Sequence, residues 1–99
     1  MAEANVLLEV GDGVATLTLN RPEQMNPLDW VTVKALQIVL ERLEEEPAVR
    51  VIVITGRGRA FSAGGDLKGY LELYRRADDF HQFLRNLGDV LGKIERSAK

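Results

Sequence analysis

The sequence has no cysteine, a single histidine, a single tryptophan and only three prolines in 99 residues. Without cysteine the chain can form no disulfide and can use no thiolate nucleophile, which fits a reducing compartment. Charge of one sign is also missing. Thirteen Lys and Arg face fifteen Asp and Glu, a net charge of −2, so there is no basic footprint for nucleic acid. No apolar run approaches the ~20 residues of a membrane span. The start, Met1 to Asn5, lacks the basic-then-apolar pattern of a signal peptide. The expectation is a cytoplasmic protein that binds neither membrane nor nucleic acid. What is present is ordinary globular composition, 45% hydrophobic and 28% charged. A chain of this size is one small domain or part of a larger one, and buries roughly two-thirds of its unfolded surface.

Patterning places the elements. Val6 to Val10 reads as a strand, Asp12-Gly13 as a hairpin turn, and Val14 to Leu19 as a half-buried strand with Ala15, Leu17 and Leu19 on one face. Pro22 cannot continue a central ladder. Asn26 suits an N-cap, Pro27 the first helical position, and Asp29 a place like that of a capping box. The helix this opens carries a stripe of Leu36, Val39, Leu40 and Leu43 and ends in the solvated run Glu44-Glu45-Glu46 before Pro47. Those three acids have no His beside them and are not read as a metal site. Val51 to Ile54 is continuously apolar, which predicts a strand covered on both faces. With a helix between it and the preceding strand, the connection fits a βαβ crossover. Leu67 to Tyr74 reads as a short helix weakened by Gly69. A second helix is expected from about Ala77-Asp78, with Phe80, Phe83, Leu84, Leu87, Leu91 and Ile94 recurring along it. There is no internal repeat, low-complexity segment or linker.

The stretch that carries chemistry is Arg59 to Lys68, R-A-F-S-A-G-G-D-L-K. A strand that breaks into a Gly-containing loop and then enters a helix turns backbone N–H groups outward, toward a phosphate or a developing oxyanion. The phosphate reading fails on spacing. A dinucleotide fingerprint starting at Gly56 and Gly58 needs a third glycine where Phe61 stands, and a P-loop counted from Gly58 needs one at Ala63. The oxyanion reading survives. Gly64 and Gly65 let the backbone approach a ligand closely. Asp66 suits the N-cap of the following helix, whose dipole favours negative charge near the Gly65 N–H.

In this order the motifs resemble the enoyl-CoA hydratase/isomerase, or crotonase, family. The resemblance runs through T-L-T-L-N-R-P in the hairpin, M-N-P-L-D, V-R-V-I-V-I-T-G, and R-A-F-S-A-G-G-D-L, nearly the whole chain. It implies an α/β fold, the N-terminal portion of the crotonase-like ββα spiral: hairpin, helix, buried strand, oxyanion loop and helices. Residues 1–99 would be the N-terminal part of a single domain. It implies that the backbone N–H of Gly65 is one donor to the thioester carbonyl oxygen. Ala63, Gly64, Gly65, Asp66, Leu67 and Lys68 would line the acyl-CoA, with Ala63 near the adenine end. No separate cofactor is implied, because coenzyme A is part of the substrate, and no metal. The implied activity is a lyase or isomerase of fatty acid metabolism: hydration of a 2-enoyl-CoA or migration of its double bond through a thioester enolate. The second oxyanion donor and the catalytic carboxylates are expected beyond Lys99, and the chain alone is expected to be inactive. The full-length protein is expected to be a homotrimer or a dimer of trimers. A reading from another class is a non-catalytic acyl-CoA-binding or assembly module.

Several residues carry plainer readings. Asp66 is preferred as a helix cap over a general base. Arg57, Arg59 and Lys68 could meet the CoA phosphates, but exposed basic residues are common. His81 has no visible partner to orient it for catalysis. Trp30 and Phe61 are preferred as packing residues over adenine-stacking ones.

Overall fold

The computed structural model describes residues 4–65, 70 and 77–99. Strands β1 (Val6–Gly11) and β2 (Val14–Leu19) pair antiparallel, from Val6 opposite Leu19 to Gly11 opposite Val14. Asp12 and Gly13 join them with φ of 52° and 80°. Two left-handed residues in succession make the turn that matches strand twist, which is why Asp-Gly sits there. The Gly13 carbonyl also accepts from the N–H groups of Arg50 (2.7 Å) and Val51 (3.1 Å), seating the next strand on the hairpin turn.

Helix α1 (Trp30–Glu44) crosses from β2 to β4 (Val51–Gly56), which runs parallel to β2 in a sheet of order β1-β2-β4. The hairpin and the crossover are as the patterning predicts. Ala15, Leu17 and Leu19 from β2 meet Val33, Leu36, Leu40 and Leu43 from α1, all buried, with Val49 beside them. Each fully buried large side chain among them contributes roughly 1.5–3 kcal/mol relative to exposure. Helix α2 (Ala77–Arg96) packs along α1, burying Phe83, Asn86 and Val90.

Two expectations need correction. Helix α1 does not begin at Asn26-Pro27. Its N-cap is Asp29, whose backbone is extended (φ −87°, ψ 176°) and whose Oδ1 accepts from the Thr32 N–H at 2.8 Å. Asn26 is left-handed (φ 52°), and Pro27–Leu28 instead form a short strand, β3. Tertiary hydrogen bonds to the Asn26 side chain outweigh its capping propensity. Strand β4 is not covered on both faces. Ile52 and Ile54 pack on the core, while Val51 and Val53 are 44% and 41% exposed, because both described helices lie on one side of the sheet. The apolar stripe of α2 is divided in this chain: Phe83 is buried and Leu87 half-buried, while Leu84, Leu91 and Ile94 are exposed. The helix expected over Leu67 to Tyr74 lies outside the described residues except at Tyr70. Among the described residues no helix is long and apolar enough to cross a membrane.

Candidate functional site

After β4 the chain turns back on itself. A methyl group on Gly56 would run into the carbonyl oxygens of Ala60 and Phe61, so only glycine lets the returning loop lie so close to the strand end. The Arg57 N–H extends the sheet by bonding the Leu19 carbonyl at 2.9 Å, and its guanidinium bonds Asn20 Oδ1 at 3.1 Å.

The loop is held by Asn26, which is 1% exposed. Its Nδ2 donates to the carbonyls of Arg57 (3.0 Å) and Ala60 (2.9 Å), and its Oδ1 accepts from the Arg21 N–H (2.8 Å). Its own N–H bonds the Arg21 carbonyl at 2.9 Å. Its carbonyl accepts from Ser62 Oγ at 2.7 Å, and Ser62 Oγ accepts in turn from the Gly64 N–H at 3.0 Å. The Ala63 N–H bonds the Met25 carbonyl at 2.7 Å. One buried carboxamide thus ties the turn after β2 to the loop after β4.

The loop ends in β5 (Gly64–Gly65), which pairs parallel with β3, Pro27 opposite Gly64 and Leu28 opposite Gly65. In a parallel ladder, residues along a strand alternate between turning their amide groups toward the partner and away from it. Pro27 has no N–H to give, so the residue turned toward β3 in the first pair is Gly64. Gly65, next along, is the residue turned away. The two glycines are required for different reasons. Gly64 has φ +90° and open space around it, so its need is conformational. Gly65 has no positive φ, but a methyl group on it would lie 2.8 Å from Tyr70 Cε2 and 3.1 Å from Tyr70 Oη. The Tyr70 hydroxyl donates to the Leu28 carbonyl at 3.1 Å, and its ring packs on Phe83 (centroids 4.9 Å apart) and Phe80 (6.0 Å).

Of the residues singled out in the sequence, Ala63, Gly64 and Gly65 come together here. Asp66, Leu67 and Lys68 lie outside the described residues. Arg57 is engaged with Asn20, and Arg59 is exposed with Nη2 3.7 Å from Met25 Sδ. His81 is exposed on α2. Trp30 packs against the core, with Lys34 Nζ 5.4 Å from its ring centroid. Phe61, expected to pack, is instead 58% exposed at the loop tip, because the hydrogen bonds of Asn26 rather than the phenyl ring anchor that loop. Among the described residues no cluster of His, Asp or Glu could hold a metal. Neither Asn26 as a loop anchor nor Tyr70 was marked by local sequence. An Asn before Pro reads as a cap or turn, and Tyr70 reads only as one more apolar position of the helix expected over Leu67 to Tyr74.

The sequence profile of the enoyl-CoA hydratase/isomerase family matches residues 9–96. The chain is 40% identical over 93 residues to a hydroxycinnamoyl-CoA hydratase-lyase of Pseudomonas fluorescens, covering 94% of this chain and 30% of the relative. It is 34% identical over 95 residues to a trans-2-decenoyl-[acyl-carrier-protein] isomerase of Streptococcus mutans, covering 95% and 35%. A crystal structure of an enoyl-CoA hydratase/isomerase from Mycobacterium paratuberculosis superposes with a TM-score of 0.87 at 32% identity, over 96% of this chain and 38% of that one. The chain therefore spans about a third of the length of the proteins it matches.

Proposed function

This chain belongs to the enoyl-CoA hydratase/isomerase family, and from that premise we propose that it supplies half of an oxyanion hole for an acyl-CoA thioester. The Gly65 N–H donates to the thioester carbonyl oxygen. When a base removes a proton next to the carbonyl, or water adds to a 2-enoyl thioester, negative charge moves onto that oxygen. A donor already aimed at the oxygen stabilises the enolate more than the neutral carbonyl, which is the condition for catalysis rather than mere binding. The segment Ala63 to Lys68 lines the acyl-CoA in this reading. The proposed reaction is hydration of a 2-enoyl-CoA or isomerisation of its double bond, and the proposed assembly of the full-length protein is a trimer.

The observation that supports it is the Pro27–Gly64 pairing. A proline opposite the first glycine leaves that pair's ladder bonds to the glycine, so that Gly65 is the residue of β5 turned away from β3. The test is Gly65→Pro in the full-length protein, assayed with crotonyl-CoA as a short 2-enoyl thioester. Loss of one oxyanion donor typically costs about 10²–10³ in kcat. The expected result is a loss of that order with cooperative thermal unfolding retained. Wild-type turnover by the proline variant would refute the assignment.

A further inference from the structure

The ladder that aims Gly65 is only two residue pairs long and parallel. Isolated strand pairs are at best marginal in water, and parallel pairing is the weaker kind. At its entrance β5 is tied down through Ala63 to Met25 and through Ser62 to Asn26. At its far end the tie is Tyr70. Its hydroxyl bonds the carbonyl of Leu28, the register partner of Gly65, while its ring lies against Gly65 itself. One side chain thus touches both members of the last pair. The ring does not float there. It packs on Phe83, which is 0% exposed, and on Phe80, both from α2.

We infer that Tyr70 is a positioning residue that staples β5 to β3 and fixes the direction of the Gly65 N–H. The inference rests on the reading of that N–H as the oxyanion donor. It also explains why position 65 carries glycine although its backbone does not require one: the space of a β-carbon is occupied by the tyrosine ring. A side chain at 65 must push the ring off Phe83 or pull the hydroxyl from Leu28. Either movement releases the strand end, and a displacement of about 1 Å in a catalytic group can cost on the order of 10²-fold in rate.

The test is a double-mutant cycle in the full-length protein with Gly65→Ala, Tyr70→Ala, the pair together, and Tyr70→Phe as the conservative variant. Turnover of crotonyl-CoA is measured well below the unfolding midpoint of every variant. Each single alanine variant is expected to lower kcat about tenfold or more, with KM changed by less than about threefold. The double variant is expected to be no slower than the slower single one, because both changes release the same staple. Tyr70→Phe keeps the ring against Gly65 but loses the bond to Leu28, and is expected to recover only part of the Tyr70→Ala loss. Wild-type kcat in Gly65→Ala, or a double variant whose loss is the product of the single losses, overturns the inference. Thermal midpoints of the same variants test the staple separately. If Gly65→Pro leaves turnover intact, the oxyanion reading fails, yet shifts of Gly65→Ala and Tyr70→Ala that do not add still support the staple. Midpoint shifts that add in full reject it.

Discussion

Asn26 is the residue on which the loop geometry turns. Its carboxamide serves three backbone groups, two carbonyls and one N–H, in a place that is 1% exposed. Truncation to alanine leaves those groups without a partner, and each buried polar group so orphaned costs about 1–3 kcal/mol. We expect Asn26→Ala to lower unfolding stability by about 3 kcal/mol, allowing for partial relaxation and water entry. Asn26→Asp separates hydrogen bonding from shape. The carboxylate is nearly isosteric, but it replaces the donating Nδ2 by an oxygen facing the carbonyls of Arg57 and Ala60. Urea unfolding should show it at least as unstable as the alanine variant at neutral pH; a wild-type midpoint would mean the carboxamide is not the anchor. The same residue marks the boundary of what sequence can convey. An Asn before Pro and three before Asp29 fits a helix cap by local propensity, and only the approach of residues 57–62, distant in sequence, reassigns it. The Gly64-Gly65 pair, by contrast, was readable as a place where side chains are not tolerated, although one glycine is required by its φ of +90° and the other by the Tyr70 ring. Tyr70 was not, since its role depends on where its ring lands.

Between elements, the polar edge of the α1–α2 contact is centred on Asp89. Its carboxylate accepts from Gln37 Nε2 across the interface (2.7 Å) and pairs with Lys93 one turn along (2.8 Å). The Lys93 ammonium hydrogen bond, followed by that from Gln37, holds the Asp89 carboxyl below its ordinary range. A carboxyl depressed in the folded state supports folding fully above its unfolded value, and that support fades as pH falls through the folded one. The contribution of Asp89 is therefore present at neutral pH and lost below about pH 4. Asp89→Asn should lower the thermal midpoint slightly at neutral pH and flatten its fall in acid. Parallel wild-type and variant curves below about pH 4 would place the titration elsewhere. At this scale the sequence was most informative where a period was strong. The hairpin, the stripe of α1 and the start of α2 followed from alternation or three- and four-residue spacing. The outer apolar residues of α2 did not, because a stripe states that residues are apolar and not which of two neighbouring faces finds a partner.

Over the whole molecule, the sheet has two unlike sides. Residues paired across strands share a face, so the register puts Ala15, Leu17, Leu19, Ile52 and Ile54 on the side toward α1. Val14, Val51 and Val53 lie on the other side with Thr16, Thr18 and Thr55, and those three valines are 36–44% exposed. The unbroken apolar run of β4 predicted cover on both faces, and the described residues supply it on one. A strand cannot encode in its own sequence what will cover it, only that both faces are apolar. The matched proteins are far longer than this chain, which leads us to expect that the outer face is covered in the full-length protein. Val53→Thr tests this, since it swaps a methyl for a hydroxyl at nearly constant volume. On an open face such a change stays within about 0.5 kcal/mol. Beneath a packed layer the hydroxyl must be buried, and the expected loss in urea unfolding of the full-length protein is about 1–3 kcal/mol. Thr16 stands directly opposite Val53 in the register, so Thr16→Val in the same protein should be neutral or stabilising if that layer is dry. A full-length protein indifferent to both changes would mean that this face of the sheet meets water.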